Sequence, residues 1–242
     1  MASYSVKFVN DKSTKQTWTM AIYQTIPNMG VFDNVAWKQA SAPSSGTKSV
    51  GWTLLYNSAL ADFFSAGDMG VYESSQILDT DLGKSWQVVN PDGTQQLKPL
   101  GTAPAGYIYI TNNSGMKANV GIGIDGAGSI YQRGMLSGST AQFKVTPKYY
   151  ASIFNNVVLG EVISTAVSAT DPVEVIFAGG ITSVTLTAWV EGETLFFGDK
   201  SAKTGSFVAT PMALVNERLR LQGESHQLML NANPRLLEPA GE

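Results

Sequence analysis

Residues 17–24, TWTMAIYQ, decide the class of the fold. Successive side chains of an extended chain point to opposite faces, so Trp18, Met20 and Ile22 share one side and Thr19, Ala21 and Tyr23 the other. Outward from this stretch the same period of two recurs in VKFVN, GWTLLY, SWQVVN, GYIYIT, NVGIGI, AQFKVT, VEVIFA and SVTLTAWVEG. Clusters of Gly, Pro, Asn, Asp and Ser separate these runs. Many short strands at such spacing predict an all-β protein built as an antiparallel β-sandwich. In NPDGT, Pro91 presets φ at the first corner and Gly93 accepts a positive φ after it, which predicts a hairpin. EGET, residues 191–194, reads the same way.

Composition narrows the function classes. The chain has 242 residues, 16 Lys+Arg against 19 Asp+Glu, a net charge of -3 and 43% apolar residues, which describes a folded domain. Without a basic run there is little counterion release to gain on a phosphate backbone, so nucleic acid is excluded as a partner. Cysteine is absent, which removes disulfides, thiolate metal sites and a cysteine nucleophile. The opening MASYSVKFVND has no apolar core of signal-peptide length, and no later run is long enough for a membrane span. The expected location is cytoplasmic, and release by a route without a signal peptide stays compatible with a cysteine-free chain. Only 14% of residues are charged, so copies repel one another weakly and a homo-oligomer is expected.

One internal echo pairs FVNDKSTKQTWTMAIYQ, near the start, with YITNNSGMKANVGIGID in the middle of the chain. In both, an alternating strand ends in an Asn/Ser-rich turn and a second alternating strand follows. Two related halves, each giving a hairpin to one sandwich, would produce this. Any two hairpins with similar turns would too. Composition shifts near the end, where three of the four arginines (Arg218, Arg220, Arg235) follow Val215. The expected division is therefore a β-sandwich body over 4–212 and a charged extension over 213–242. The extension reads equally as a helix, with Leu214, Arg218 and Leu221 on one face and Leu228 further along it, or as an extended arm through RLRLQ. It docks either on its own body or on a neighbouring copy, for which Leu214, Arg218, Arg220, Leu221 and Leu228 are the candidate contacts, unless it is a vector-derived tail.

Apparent motifs fail on context. GIGIDG, residues 121–126, fits G-x-G-x-x-G, yet a strand-like segment follows where a helix is needed, and no acidic residue lies over 140–150. A hairpin at Asp125-Gly126 explains it better. GKS, residues 83–85, lacks the upstream glycine of a phosphate loop, since Leu78 stands there. DTDLG offers Asp79 and Asp81 at alternate positions, as calcium loops begin, but Gly83 and Lys84 break the pattern into a solvated turn. The single histidine, His226, has no obvious catalytic company and reads as a surface or docking residue. No cofactor, metal site or catalytic set is expected.

Two contact devices remain. Trp18 and Trp189 alternate with apolar neighbours and read as core, whereas Trp37 and Trp86 stand beside polar residues and, with Trp52, are candidates for a ring-stacking binding surface. The acids Asp62, Asp68, Glu73, Asp79 and Asp81 supply the only catalytic device composition allows, a carboxylate pair.

Over TWTMAIYQ, AWKQASAPSSGTKSVGWTLLYN and YITNNSGMKANVGIGIDGAGSIYQ, the chain resembles the rhizosphere-expressed RhiA-type proteins of soil bacteria, across residues 4–200. The resemblance implies a soluble bacterial protein tied to quorum-regulated expression and plant-associated life, and it carries over no catalytic residue. The expectation is a non-enzymatic structural or interaction protein that self-associates through its sandwich and C-terminal arm. The alternative is a lectin-like module binding carbohydrate or another surface, with a carboxylate-based hydrolase as a minor third.

Overall fold

In the computed structural model, which describes residues 2–26, 32–66, 69–145, 148–164, 166, 168–201 and 206–232, the strands fall into four consecutive blocks. The first block holds β1 (Ser3–Asn10), β2 (Trp18–Thr25), β3 (Asp33–Asn34), β4 (Lys38–Ala42) and β5 (Thr47–Thr53). The second holds β6 (Tyr56–Ala66), β7 (Met69–Asp79), β8 (Lys84–Val89) and β9 (Gln96–Thr102). The third holds β10 (Tyr107–Asn112), β11 (Ala118–Ile124), β12 (Ala127–Met135) and β13 (Thr140–Lys144). The fourth holds β14 (Lys148–Phe154), β15 (Val173–Val175), β16 (Ser183–Glu191), β17 (Thr194–Gly198) and β18 (Phe207–Pro211), and helix α1 (Met212–Ala232) follows at once.

Among the described residues the protein is all-β apart from that helix and one short 3₁₀ turn, but it contains two sandwiches, not one. The first and fourth blocks form sheets ordered β18-β17-β16-β1-β5 and β15-β14-β2-β4, whose inner faces meet around Phe8, Trp18, Met20, Trp52, Ile153 and Leu186. The second and third blocks, with β3 of the first block added at one edge, form sheets ordered β13-β10-β8-β9 and β3-β12-β11-β6-β7, joined around Val88, Ile108, Ile110, Val120 and Phe143. Tyr56 packs against both cores and links the sandwiches.

The two sandwiches repeat one plan. β1 lies between a parallel partner, β16, and an antiparallel one, β5, just as β10 lies between β8 and β13. β2 lies between β4 and β14, as β11 lies between β12 and β6. Blocks one and two therefore correspond to blocks three and four, and each sandwich takes one block from each repeat. The repeats are interleaved. At the end of β1, Asn10 donates to the carbonyls of Gln16 and Ala42, both at 2.8 Å, and accepts from Thr14 Oγ1 at 2.7 Å. At the end of β10, Asn112 donates to the carbonyls of Met116 and Met135 at 2.7 and 2.8 Å and accepts from Ser114 Oγ at 2.7 Å. Both asparagines are fully buried, and each ties down the arch that carries the chain from one sheet to the other.

Two expectations change. The echoing segments are arches between sheets, not hairpins, because β1 and β2 pair with different partners. The sheets are not purely antiparallel: β1 with β16 and β8 with β10 run parallel. Alternation cannot reveal direction, and parallel partners need a long crossover that leaves no local turn motif. β2 is also buried on both faces, since Trp18, Met20 and Ile22 face the sandwich core while Ala21 meets Phe154, Val157 and Met229 on the outside. The predicted turns stand as read. Ile124 pairs with Ala127 across Asp125 and Gly126, at φ 58° and 72°, and Glu191 pairs with Thr194 across Gly192 at φ 58°.

The extension is a helix through Ala232, while 233–242, with Arg235, lie outside the described residues. It docks on its own body. Val215, Gln222 and Met229 are buried on the docking face, where Gln222 donates to the carbonyl of Asn156. Arg218 Nη2 reaches Asp171 Oδ1 at 3.0 Å. Among the expected contacts to a neighbour, Arg218 and Leu221 are thus engaged within the chain, whereas Leu214, Arg220 and Leu228 face outward. The reason is a rotation of the face: the apolar centre runs through Val215 and Met229, one position on from each of Leu214 and Leu228.

Candidate functional site

The candidate binding tryptophans separate into two places. Trp37 and Trp52 are 1% and 3% exposed and lie edge to face, ring centres 5.1 Å apart, inside the first sandwich. Trp37 Nε1 donates to the carbonyl of Ile124 at 2.9 Å, a buried polar atom satisfied by the neighbouring sandwich. Neither ring is a groove wall. Polar neighbours in sequence misled for Trp37, which lies just before β4 and turns its ring into the core while Lys38 and Gln39 begin the strand. Trp18 and Trp189 are buried as expected, but Trp189 stacks on Phe196 (5.2 Å) on the outer side of its sheet, beneath Lys200.

Trp86 lines a surface depression. A cleft of about 490 Å³ is lined by Asp79, Thr80, Asp81, Lys84, Ser85, Trp86, Pro99, Leu100 and Gly101. It lies where β7 and β9, edge strands of the two facing sheets, come together beside β8. The local sequence explains its shape. Pro99 has no N–H and is tolerated on an edge strand, and the register of β8 with β9 slips between Ser85 and Trp86, a bulge that re-aims side chains. The turn after β7 is pinned on both sides: Thr80 N donates to the Tyr56 carbonyl at 2.9 Å, and Gly83 N donates to the Tyr107 carbonyl at 2.7 Å. Trp86 Nε1 donates to Thr80 Oγ1 at 2.8 Å, which fixes the indole against the turn.

The cleft therefore combines two carboxylates, one ammonium and two hydroxyls with an apolar wall in which Leu100 is half exposed. Leu78 and Leu82, also exposed, flank it in sequence. Among the acids named from sequence, only Asp79 and Asp81 line it. They come from one turn and so share one wall. Asp62 and Glu73 instead face each other across the β6–β7 ladder, and Asp68 lies outside the described residues. Among the described residues there is no cluster of three or more metal-ligating side chains.

A second cleft, about 240 Å³, opens on the first sandwich and is lined by Tyr4, Leu54, Lys148, Tyr149, Glu174, Val175, Ile176 and Phe177. Phe177 packs 4.7 Å from Tyr4, 5.7 Å from Trp52 and 5.9 Å from Tyr149, and Lys148 Nζ lies 3.8 Å from Glu174 Oε1 at the rim. Burial pushes the Tyr149 hydroxyl up to about 12. Sequence reading missed these residues: Tyr4, Tyr149 and Phe177 come from distant blocks, and only the aromatic content of YYASIF and VEVIFA hinted at them.

His226 does have company. Its Nε2 lies 3.1 Å from Oε2 of Glu161, a carboxylate only 1% exposed that also accepts from Val158 N at 3.0 Å. The pair fastens α1 to the segment that covers the outer faces of both sandwiches.

The model of the RhiA family matches residues 1–197, which leaves out β18 and α1. No curated protein and no solved structure matches the chain.

Proposed function

The chain belongs to the RhiA family, and from that premise we propose that it is a non-enzymatic interaction protein whose Trp86 cleft holds a carbohydrate. One observation carries this reading: carboxylates, hydroxyls and an ammonium converge with an indole edge and a leucine in one open depression. A sugar presents hydroxyl pairs that a carboxylate accepts and an apolar ring face that rests on the exposed Leu100 beside the edge of Trp86. The open, wet setting favours contact over bond-making, since hydrolysis needs two carboxyls on opposite sides of the scissile bond. The test is a glycan array probed with the full chain. Binding is expected, and Asp79→Asn, Asp81→Asn and Leu100→Ala, all at surface positions, are expected to weaken it about tenfold each. Silence across the array, or binding indifferent to all three substitutions, contradicts the reading. Turnover of a bound glycan that Asp79→Asn or Asp81→Asn abolishes establishes the hydrolase instead.

Self-association is the second reading. It is favoured by the exposed Leu78, Leu82 and Leu100 around the cleft and by Leu214 and Leu228 on the outer side of α1. Light scattering separates the two: a mass above one chain that falls on Leu82→Asp or Leu228→Asp supports assembly, and a monomer at high concentration removes it.

A further inference from the structure

The smaller cleft has a chemical incompleteness that the Trp86 cleft lacks. Tyr149, which lines it, is 6% exposed, and its hydroxyl has no hydrogen-bond partner; the indole N–H of Trp52 beside it, 3% exposed, has none either. The Trp52 N–H and the Gln24 side chain both stand near enough to the tyrosine oxygen to favour its ionised form, without reaching hydrogen-bond geometry. Each orphaned buried group costs on the order of 1–3 kcal/mol relative to a satisfied one. The packing offers a way for a ligand to recover that cost. Phe177 lies edge-on to both rings, at 78° to Trp52 and 81° to Tyr149, and so covers them from the cleft side. It is held by no regular element. It follows β15 in a loop where Gly179 and Gly180 adopt φ 63° and 83°, and its neighbours Ile176 and Ile181 are more than half exposed.

We propose that this cleft is a second binding site, which takes a single aromatic ring bearing one uncharged hydroxyl when Phe177 swings out. The ligand ring replaces the aromatic contacts of Phe177 with Tyr4, Trp52 and Tyr149. Its hydroxyl oxygen accepts from the Trp52 N–H and hydrogen-bonds the Tyr149 hydroxyl, which completes both groups. The size fits one ring, since about 240 Å³ is smaller than sites for drug-sized molecules. A charged group is disfavoured in the depth of the site, where the only ions are Lys148 and Glu174 at the rim, and these face each other.

The experiment is a titration of the full chain with phenol, toluene and benzoate, followed by tryptophan fluorescence and by the melting temperature. Phenol is expected to bind and to raise the melting temperature, with toluene and benzoate at least about tenfold weaker. Tyr149→Phe removes an orphaned hydroxyl, so it is expected to leave the melting temperature unchanged or raised while weakening phenol about tenfold. Phe177→Ala is expected to strengthen phenol binding, because the gate no longer has to be displaced. Equal affinity for phenol and toluene overturns the proposal, as does phenol binding that Tyr149→Phe leaves intact or the failure of phenol to bind even Phe177→Ala. None of these outcomes depends on the carbohydrate reading, which concerns the other sandwich.

Discussion

Asn10 and Asn112 show how much of the architecture rests on single side chains. Each is sealed from water, donates to two carbonyls and accepts one hydroxyl, and no other side chain offers two donors and an acceptor at that reach. Alanine at either position strands buried carbonyls, so Asn10→Ala and Asn112→Ala are each expected to cost about 2–3 kcal/mol in urea unfolding, and by similar amounts. Gly123 is held for a different reason. A Cβ there would run into the Ala127 carbonyl across the tight turn of β11 and β12, so Gly123→Ala is expected to unfold the protein or lower its melting temperature sharply. The glycines that imitate a nucleotide fingerprint thus serve hairpin packing. Burial raises Tyr23 and Tyr149 to about 12 from an ordinary value of 10. A folded value above the unfolded one means that their share of stability is complete below pH 10 and disappears as pH climbs through about 12. Absorbance at 295 nm is therefore expected to show these tyrosines ionising together with alkaline unfolding; free ionisation near pH 10 in the folded protein contradicts their burial.

At the scale of elements, period two gave the strands well because most carry one face to a core. Trp37 and Trp52, surface candidates chosen without regard to that signal, are buried. The signal reports which residues share a side, and both sides of several strands here are covered, by α1, by residues 156–163 or by the other sandwich. The helix itself was ambiguous for a physical reason. Its docking face is mixed, with Gln222 and the His226–Glu161 contact among the apolar side chains, so no clean apolar stripe marks it. Val215→Asp places an unpaired charge in that face and is expected to cost about 3 kcal/mol or to release the helix, whereas Leu228→Asp on the exposed side is expected to change stability by no more than about 0.5 kcal/mol. Chemical denaturation with circular dichroism at 222 nm distinguishes the two. The Trp86 cleft was half legible: Trp86 and the Asp79–Asp81 turn stood out, but the facing wall of Pro99 and Leu100 depends on a bulge that leaves no mark in the sequence.

For the whole molecule, the echo between the two Asn/Ser turns was the visible trace of the repeated strand plan, and its larger consequence was hidden. Which block completes which sandwich is set by pairings such as β1 with β16, whose partners are separated by most of the chain. Interleaving is expected to make the two sandwiches unfold as one cooperative body. It also places the two clefts far apart in role, one at the open edge of the second sandwich and one over the aromatic core of the first. The most direct measurement is to insert a protease site in the connection between β9 and β10, residues 103–106, cut the full chain there, and weigh the product in native buffer. Because every sandwich then contains strands from both fragments, the cut protein is expected to keep the mass of one intact chain and to come apart only in denaturant. Two fragments that separate in buffer while each stays folded would contradict the interleaved fold.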